Sequence, residues 1–118
     1  MKTLLALLML AAPVLADGPV RHVVHFKFKK DADPAAIQKV VEEFARLKAK
    51  IPVIESLEGG KNVSPEGIDK GFTHCWISSF KSEADRDVYL KHADHVAFVA
   101  VLKPVLEDAL VIDFIPGK

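Results

Sequence analysis

Val20–Phe28 (VRHVVHFKF) alternates with period two: Val20, His22, Val24, Phe26 and Phe28 fall on one side, Arg21, Val23, His25 and Lys27 on the other. That period specifies a β-strand. The first side is apolar apart from His22, and the second is amphipathic, not simply wet. A strand of this kind needs other strands beside it and a layer packed against its apolar side.

The residues that follow supply both. Asp33-Pro34 reads as a helix N-cap with proline at the first helical position. Ile37, Val40, Val41, Phe44, Leu47 and Ile51 recur at spacings of three and four with charges opposite, an amphipathic helix that closes with Lys48 and Lys50 and stops at Pro52. Residues 53–63 read as a second strand, bent or bulged at Gly59-Gly60. Ser64–Lys70 carries turn chemistry. Gly71–Phe80 is a third strand, with Phe72, His74, Trp76, Ser78 and Phe80 on one side and Thr73, Cys75, Ile77 and Ser79 on the other. Ser82, three before Asp85, caps a helix that carries Val88, Tyr89 and Leu90 to about His92. A second helical piece spans about 94–103, until Pro104 kinks or ends it. Residues 109–115 form the last strand.

The order β-α-β-β-α-β defines an α+β, ferredoxin-like protomer: an antiparallel sheet with its helices on one face. The other face is expected to present Val23, His25, Cys75, Ile77, Val111 and Asp113, too apolar to be left to water. A patch of that kind marks an interface. Two such sheets packed face to face give a homodimeric α/β barrel.

Composition is informative once the first residues are set apart. Thirteen of residues 1–16 are apolar and Lys2 is the only charged side chain there, the pattern of a secretory signal peptide with cleavage expected after Ala16. The run Leu4–Ala16 is short of the roughly 20 residues that span a bilayer. No Cys follows it, so a lipoprotein anchor is not indicated. The expected mature domain is residues 17–118, secreted or periplasmic, with no membrane association after cleavage. Sixteen Lys and Arg against 16 Asp and Glu exclude a nucleic-acid surface, which needs excess cation to displace counterions. Cys75 is the only cysteine, so no intrachain disulfide staples the fold; it reads as structural. At this size the core is adequate, not generous, and leaves a role for dimerisation.

The chemistry-bearing residues are five histidines: His22, His25, His74, His92 and His95. Strand parity sends His22 and His74 toward the helices with Phe26, Phe72 and Trp76, and sends His25 toward the partner. His92 and His95 sit at a helix junction overhanging the same cavity, which would gather four histidines around one pocket. Three readings stand side by side. The histidines are hydrogen-bonded structural groups; or they do general acid–base work with Tyr89, three before His92, as orienting partner; or His92-x-x-His95 holds a metal. His22-x-x-His25 does not, because a strand sends the two rings to opposite faces. Trp76 and the Phe residues are core, and an aromatic-lined pocket also suits a flat apolar ligand. No nucleophile elbow, phosphate loop or dinucleotide fingerprint is present, so no cofactor is expected.

The strand VRHVVHFKFK (20–29), the strand GFTHCWISSF (71–80), the segment YLKHADHVAF (89–98) and the closing ALVIDFIP (109–116) resemble the stress-responsive A/B-barrel, or Dabb, family over about residues 19–116. The resemblance implies a ferredoxin-like protomer in a homodimeric α/β barrel. One enzyme of that family is a plant polyketide cyclase that performs an intramolecular aldol condensation without cofactor or metal. By resemblance to it, His95 falls at the position of the catalytic base and Tyr89 at that of its tyrosine partner. His22 and His74 match two further pocket histidines, and Phe44 stands where that cyclase has a pocket tyrosine.

The expected function is therefore an exported homodimer that binds a small apolar or aromatic molecule in a pocket lined by His22, Phe44, His74, Trp76, Tyr89 and His95. Any catalysis would be cofactor-free, cyclase-like acid–base chemistry with His95 as base. The alternatives are a non-catalytic stress or assembly protein and a metal- or haem-handling protein.

Overall fold

The computed structural model describes residues 18–118, so the expected signal peptide lies outside the described residues. The elements follow the expected order: β1 (Val20–Phe28), α1 (Pro34–Lys50), β2 (Ser56–Lys61), β3 (His74–Phe80), α2 (Glu83–Lys91), α3 (Ala93–Leu102) and β4 (Leu106–Phe114). The strands lie in the order β2-β3-β1-β4, and every neighbouring pair is antiparallel. No helix among the described residues is long and apolar enough to cross a membrane.

The helix ends obey their capping chemistry. The Asp33 carboxylate accepts the Ala35 N–H at 3.0 Å, and Pro34 follows at a position whose N–H would have no helical partner. The Ser82 hydroxyl accepts the Asp85 N–H at 3.1 Å. Pro104 ends α3 by way of a single 3₁₀ turn, Lys103–Val105, which delivers the chain directly into β4. The last strand therefore starts at Leu106, three residues before the expected 109.

The core fills the space between sheet and helices. Val24, Phe26, Trp76 and Phe80 point up from the sheet; Val40, Phe44, Leu47 and Ile51 come down from α1, Tyr89 from α2, Phe98 and Leu102 from α3. Each large side chain buried this way contributes about 1.5–3 kcal/mol. The Phe44 ring lies flat on the Trp76 indole, centroids 4.6 Å apart and planes within 13°.

Three expectations need correction. Gly59-Gly60 is not a bulge: β2 pairs with β3 without interruption from Ser56↔Ser79 to Lys61↔His74. A Cβ on Gly59 would lie 2.5 Å from Cγ and 2.6 Å from Nε1 of Trp76, so the glycine is there to let the indole rest against the β2 backbone. The one register shift falls between β1 and β4 at Lys27/Phe28, where Glu107 has no opposite residue. Phe72 precedes β3 in a turn closed by its N–H on the Asp69 carbonyl. Its ring packs edge-on to His25, away from the core aromatics.

The third correction concerns β4. Val111 lies opposite Val24 and Asp113 opposite His22, which places both on the helix side of the sheet. Leu110, Ile112 and Phe114, opposite His25, Val23 and Arg21, take the open face instead. That face carries Val23, His25, Cys75 and Ile77 as expected. Ile112 is 52% and Phe114 48% exposed, a continuous apolar surface across β3, β1 and β4.

Candidate functional site

A cavity of about 490 Å³ opens between the β1–β4 half of the sheet and the helices. Its floor is Val24, Phe26, Ala109 and Val111, and its apolar walls are Phe44 from α1 and Phe98, Val99 and Leu102 from α3. The polar lining is concentrated on one side, in His22 and Asp113 from the sheet, Arg86, Asp87 and Tyr89 from α2, and His95 from α3.

The break between α2 and α3 positions His95. His92 ends α2 and caps α3, its Nδ1 accepting the Asp94 N–H at 3.1 Å. The next helix thereby starts at an angle that brings the His95 ring 4.5 Å from the Tyr89 ring, centroid to centroid. His95 Nδ1 lies 3.0 Å from the Leu90 carbonyl. A carbonyl only accepts, so Nδ1 carries the hydrogen and the neutral ring leaves its lone pair on Nε2. Burial lowers the His95 pKa; the Leu90 bond opposes this in part and nearby His22 adds to it. His95 is thus a neutral imidazole with an open Nε2, the form a general base requires.

Tyr89 is buried, and desolvation drives its phenol far above the ordinary range. It keeps its proton at every physiological pH and acts as a hydrogen-bonding hydroxyl, not as a base. The His22 ring stands edge-on to Tyr89 at 5.9 Å. Its Nδ1 is 2.6 Å from Asp113 Oδ1, and Arg86 Nη1 donates to Asp113 Oδ2 at 3.0 Å. Among the described residues the one buried side-chain nitrogen or oxygen without a hydrogen-bond partner is His74 Nε2. His22 Nδ1 and His95 Nδ1 are engaged by Asp113 and by the Leu90 carbonyl, which leaves Nε2 as the second nitrogen of each ring, and both residues line the cavity with Tyr89. Two imidazoles and a phenol line the polar side of a chamber whose other walls are apolar. The arrangement can bind a flat apolar molecule, polarise a carbonyl and take up a proton.

Of the residues expected at the site, the cavity brings together His22, Phe44, Tyr89 and His95. Trp76 stands one layer behind, supporting Phe44. His74 does not join them. It lies on the far side of Trp76, its ring parallel to the indole at 5.8 Å, edge-on to Phe28 at 5.1 Å and hydrogen-bonded to Thr73 Oγ1. His92 acts as a cap outside the lining, so two histidines, not four, face the chamber. Arg86 and Asp113 were not anticipated. Asp113 had a signal, the lone charge in the apolar run ALVIDFI; Arg86, one charge among several on α2, had none. No group of three or more His, Cys, Asp or Glu among the described residues is placed to hold a metal ion.

Residues 20–116 match the family described as the Stress responsive A/B Barrel Domain, and the chain belongs to that family. It is 35% identical over 101 residues to the stress-response A/B barrel domain-containing protein HS1 of Arabidopsis thaliana, covering 86% of this chain and 93% of that one. It is 28% identical over 99 residues to olivetolic acid cyclase of Cannabis sativa, covering 84% and 98%. A solved structure from Bacteroides fragilis, described as a dimeric protein with a ferredoxin-like fold, superimposes with a TM-score of 0.68 at 30% identity, covering 82% of this chain and 95% of the other.

Proposed function

We propose that this chain is an exported homodimer that binds a small, mainly apolar or aromatic molecule in the His22–Tyr89–His95 cavity and performs cofactor-free acid–base chemistry on it. His95 Nε2 is the base. The Tyr89 hydroxyl donates to a carbonyl or enol oxygen of the bound molecule, and Phe44, Phe98 and Val99 hold its apolar body. The observation that carries this reading is that His22, Tyr89 and His95 line one cavity whose polar side chains lie together on one side and whose remaining walls are apolar. A positioned base of this kind contributes about 10²–10⁴ in rate.

The similarity to olivetolic acid cyclase supports a reaction of the same class, proton abstraction beside a carbonyl. Phe44, where the resemblance to that cyclase implies a tyrosine, argues for a different substrate, since the wall lacks that hydroxyl. The dimer reading rests on the apolar row Val23, Ile77 and Ile112, aligned across three strands with Ile77 and Ile112 exposed, and on dimeric relatives of the same fold. Export rests on the composition of residues 1–16 alone.

A second reading, a non-catalytic stress or assembly protein, draws on the same apolar face, which would be selected for the dimer itself. Native mass spectrometry of the purified full chain separates the two. A dimer retaining a small organic molecule that His95→Ala releases supports the cavity reading; a dimer with no retained molecule and no response to His95→Ala supports the other.

A further inference from the structure

The antiparallel register sets His22 opposite Asp113, and their side chains meet on the helix side of the sheet. The Asp113 carboxylate has two oxygens in two different bonds: Oδ1 to His22 Nδ1 at 2.6 Å and Oδ2 to Arg86 Nη1 at 3.0 Å. Arg86 is itself braced by Asp87, 3.1 Å from Nη2. A carboxylate fixed by a guanidinium on one side cannot turn away from the imidazole on the other. It accepts the hydrogen of Nδ1, so that in the neutral ring the lone pair lies on Nε2, and His22 itself lines the cavity beside Tyr89.

We propose that Asp113 is the positioning residue of this site, fixing His22 with Nε2 as a hydrogen-bond acceptor, and that the cavity thereby selects ligands bearing a hydroxyl. The substrate class is a hydroxylated or enolic aromatic molecule. Its hydroxyl donates to His22 Nε2, and any carbonyl is left to the Tyr89 hydroxyl. The inference rests on the cavity being the ligand site and adds what the ligand must carry. A polar partner of fixed sense discriminates strongly, because a ligand without the matching group leaves that partner unpaired.

Long-range ¹H–¹⁵N correlation spectra of the full chain at about pH 8 test the positioning role without any ligand. His22 is expected as the Nδ1–H tautomer with a bare Nε2. Asp113→Asn, whose amide can present an N–H to Nδ1, is expected to convert His22 to the Nε2–H tautomer while His95 stays unchanged. A wild-type His22 that is Nε2–H or doubly protonated, or a tautomer indifferent to Asp113→Asn, overturns the proposal. Affinities for 2-naphthol and 2-methoxynaphthalene then test the selection. Wild type is expected to favour the naphthol about tenfold or more, and Asp113→Asn to bring the ratio to about one. Arg86→Met, which leaves Asp113 in place, should lower the ratio by a smaller factor, and it carries the test if Asp113→Asn does not fold. Equal wild-type affinities overturn the hydroxyl preference. Failure of both compounds to bind overturns the cavity reading together with that preference, while the tautomer spectra still decide the role of Asp113.

Discussion

Tyr89 and His95 face each other at 4.5 Å across the break between α2 and α3, one a protonated phenol and the other a neutral imidazole. Burial produces both states. It raises the Tyr89 phenol and lowers the His95 imidazole, because each group's charged form is disfavoured away from water. A base and a hydrogen-bonding hydroxyl therefore coexist side by side at neutral pH. Tyr89→Phe should keep the fold and the retained dimer while losing about tenfold or more of the turnover of any substrate found. A loss of stability as large as the loss of turnover would assign Tyr89 to packing alone.

His95 and His74 are both lowered by burial, and stability should follow. A histidine whose folded pKa lies below its unfolded value near 6.5 binds fewer protons in the folded state than in the unfolded chain. Stability is then complete above about pH 6.5 and declines as pH falls through the folded values. Urea unfolding midpoints between about pH 7.5 and pH 5 should fall with acidification, and His74→Gln should flatten that fall. A midpoint independent of pH in the histidine range, or an unchanged slope in His74→Gln, would contradict this.

Gly59→Ala should destabilise the fold by about 1–3 kcal/mol, since the new Cβ would have to displace the Trp76 indole and with it the Phe44 ring stacked on its other side. Denaturant midpoints measure the loss, and Trp76, the single tryptophan, reports the displacement by its fluorescence. An alanine accepted without cost would show that the indole does not need that contact.

Ile112→Lys places a charge at the β4 end of the apolar row, opposite Val23. Light scattering should show the proposed dimer weakened by about 100-fold or more in dissociation constant, because an unpaired ammonium buried in an apolar interface costs several kcal/mol. A variant that stays dimeric at the same concentrations would move the interface elsewhere.

Most of the fold could be read from the chain because its signals are local. Asp33-Pro34 and Ser82 announce helix starts, and Val20–Phe28 announces a strand whatever lies beside it. The phase of β4 could not be read in the same way. In ALVIDFI both sides of the strand are apolar, so period two gives no preferred face, and the pairing with β1 is set by the shift at Lys27/Phe28. That one uncertainty put Asp113 on the wrong side of the sheet and hid its contact with His22. His74 shares the parity of the core aromatics, as its sequence position indicates. Parity, however, says which face a residue takes and not how far along the sheet it lies, and Trp76 separates it from the cavity. Gly59 was misread for a related reason: the indole it accommodates comes from a different strand.

In the proposed reaction His95 takes a proton from a small molecule bound beside Tyr89. Exchange of the α-carbon hydrogens of a panel of small aryl ketones in D₂O, followed by NMR, reads that step without knowledge of the natural product. The wild-type protein should accelerate exchange of at least one ketone, and His95→Gln should reduce that acceleration by about 10²-fold or more. Exchange at the same rate in wild type, in His95→Gln and in buffer would contradict the claim.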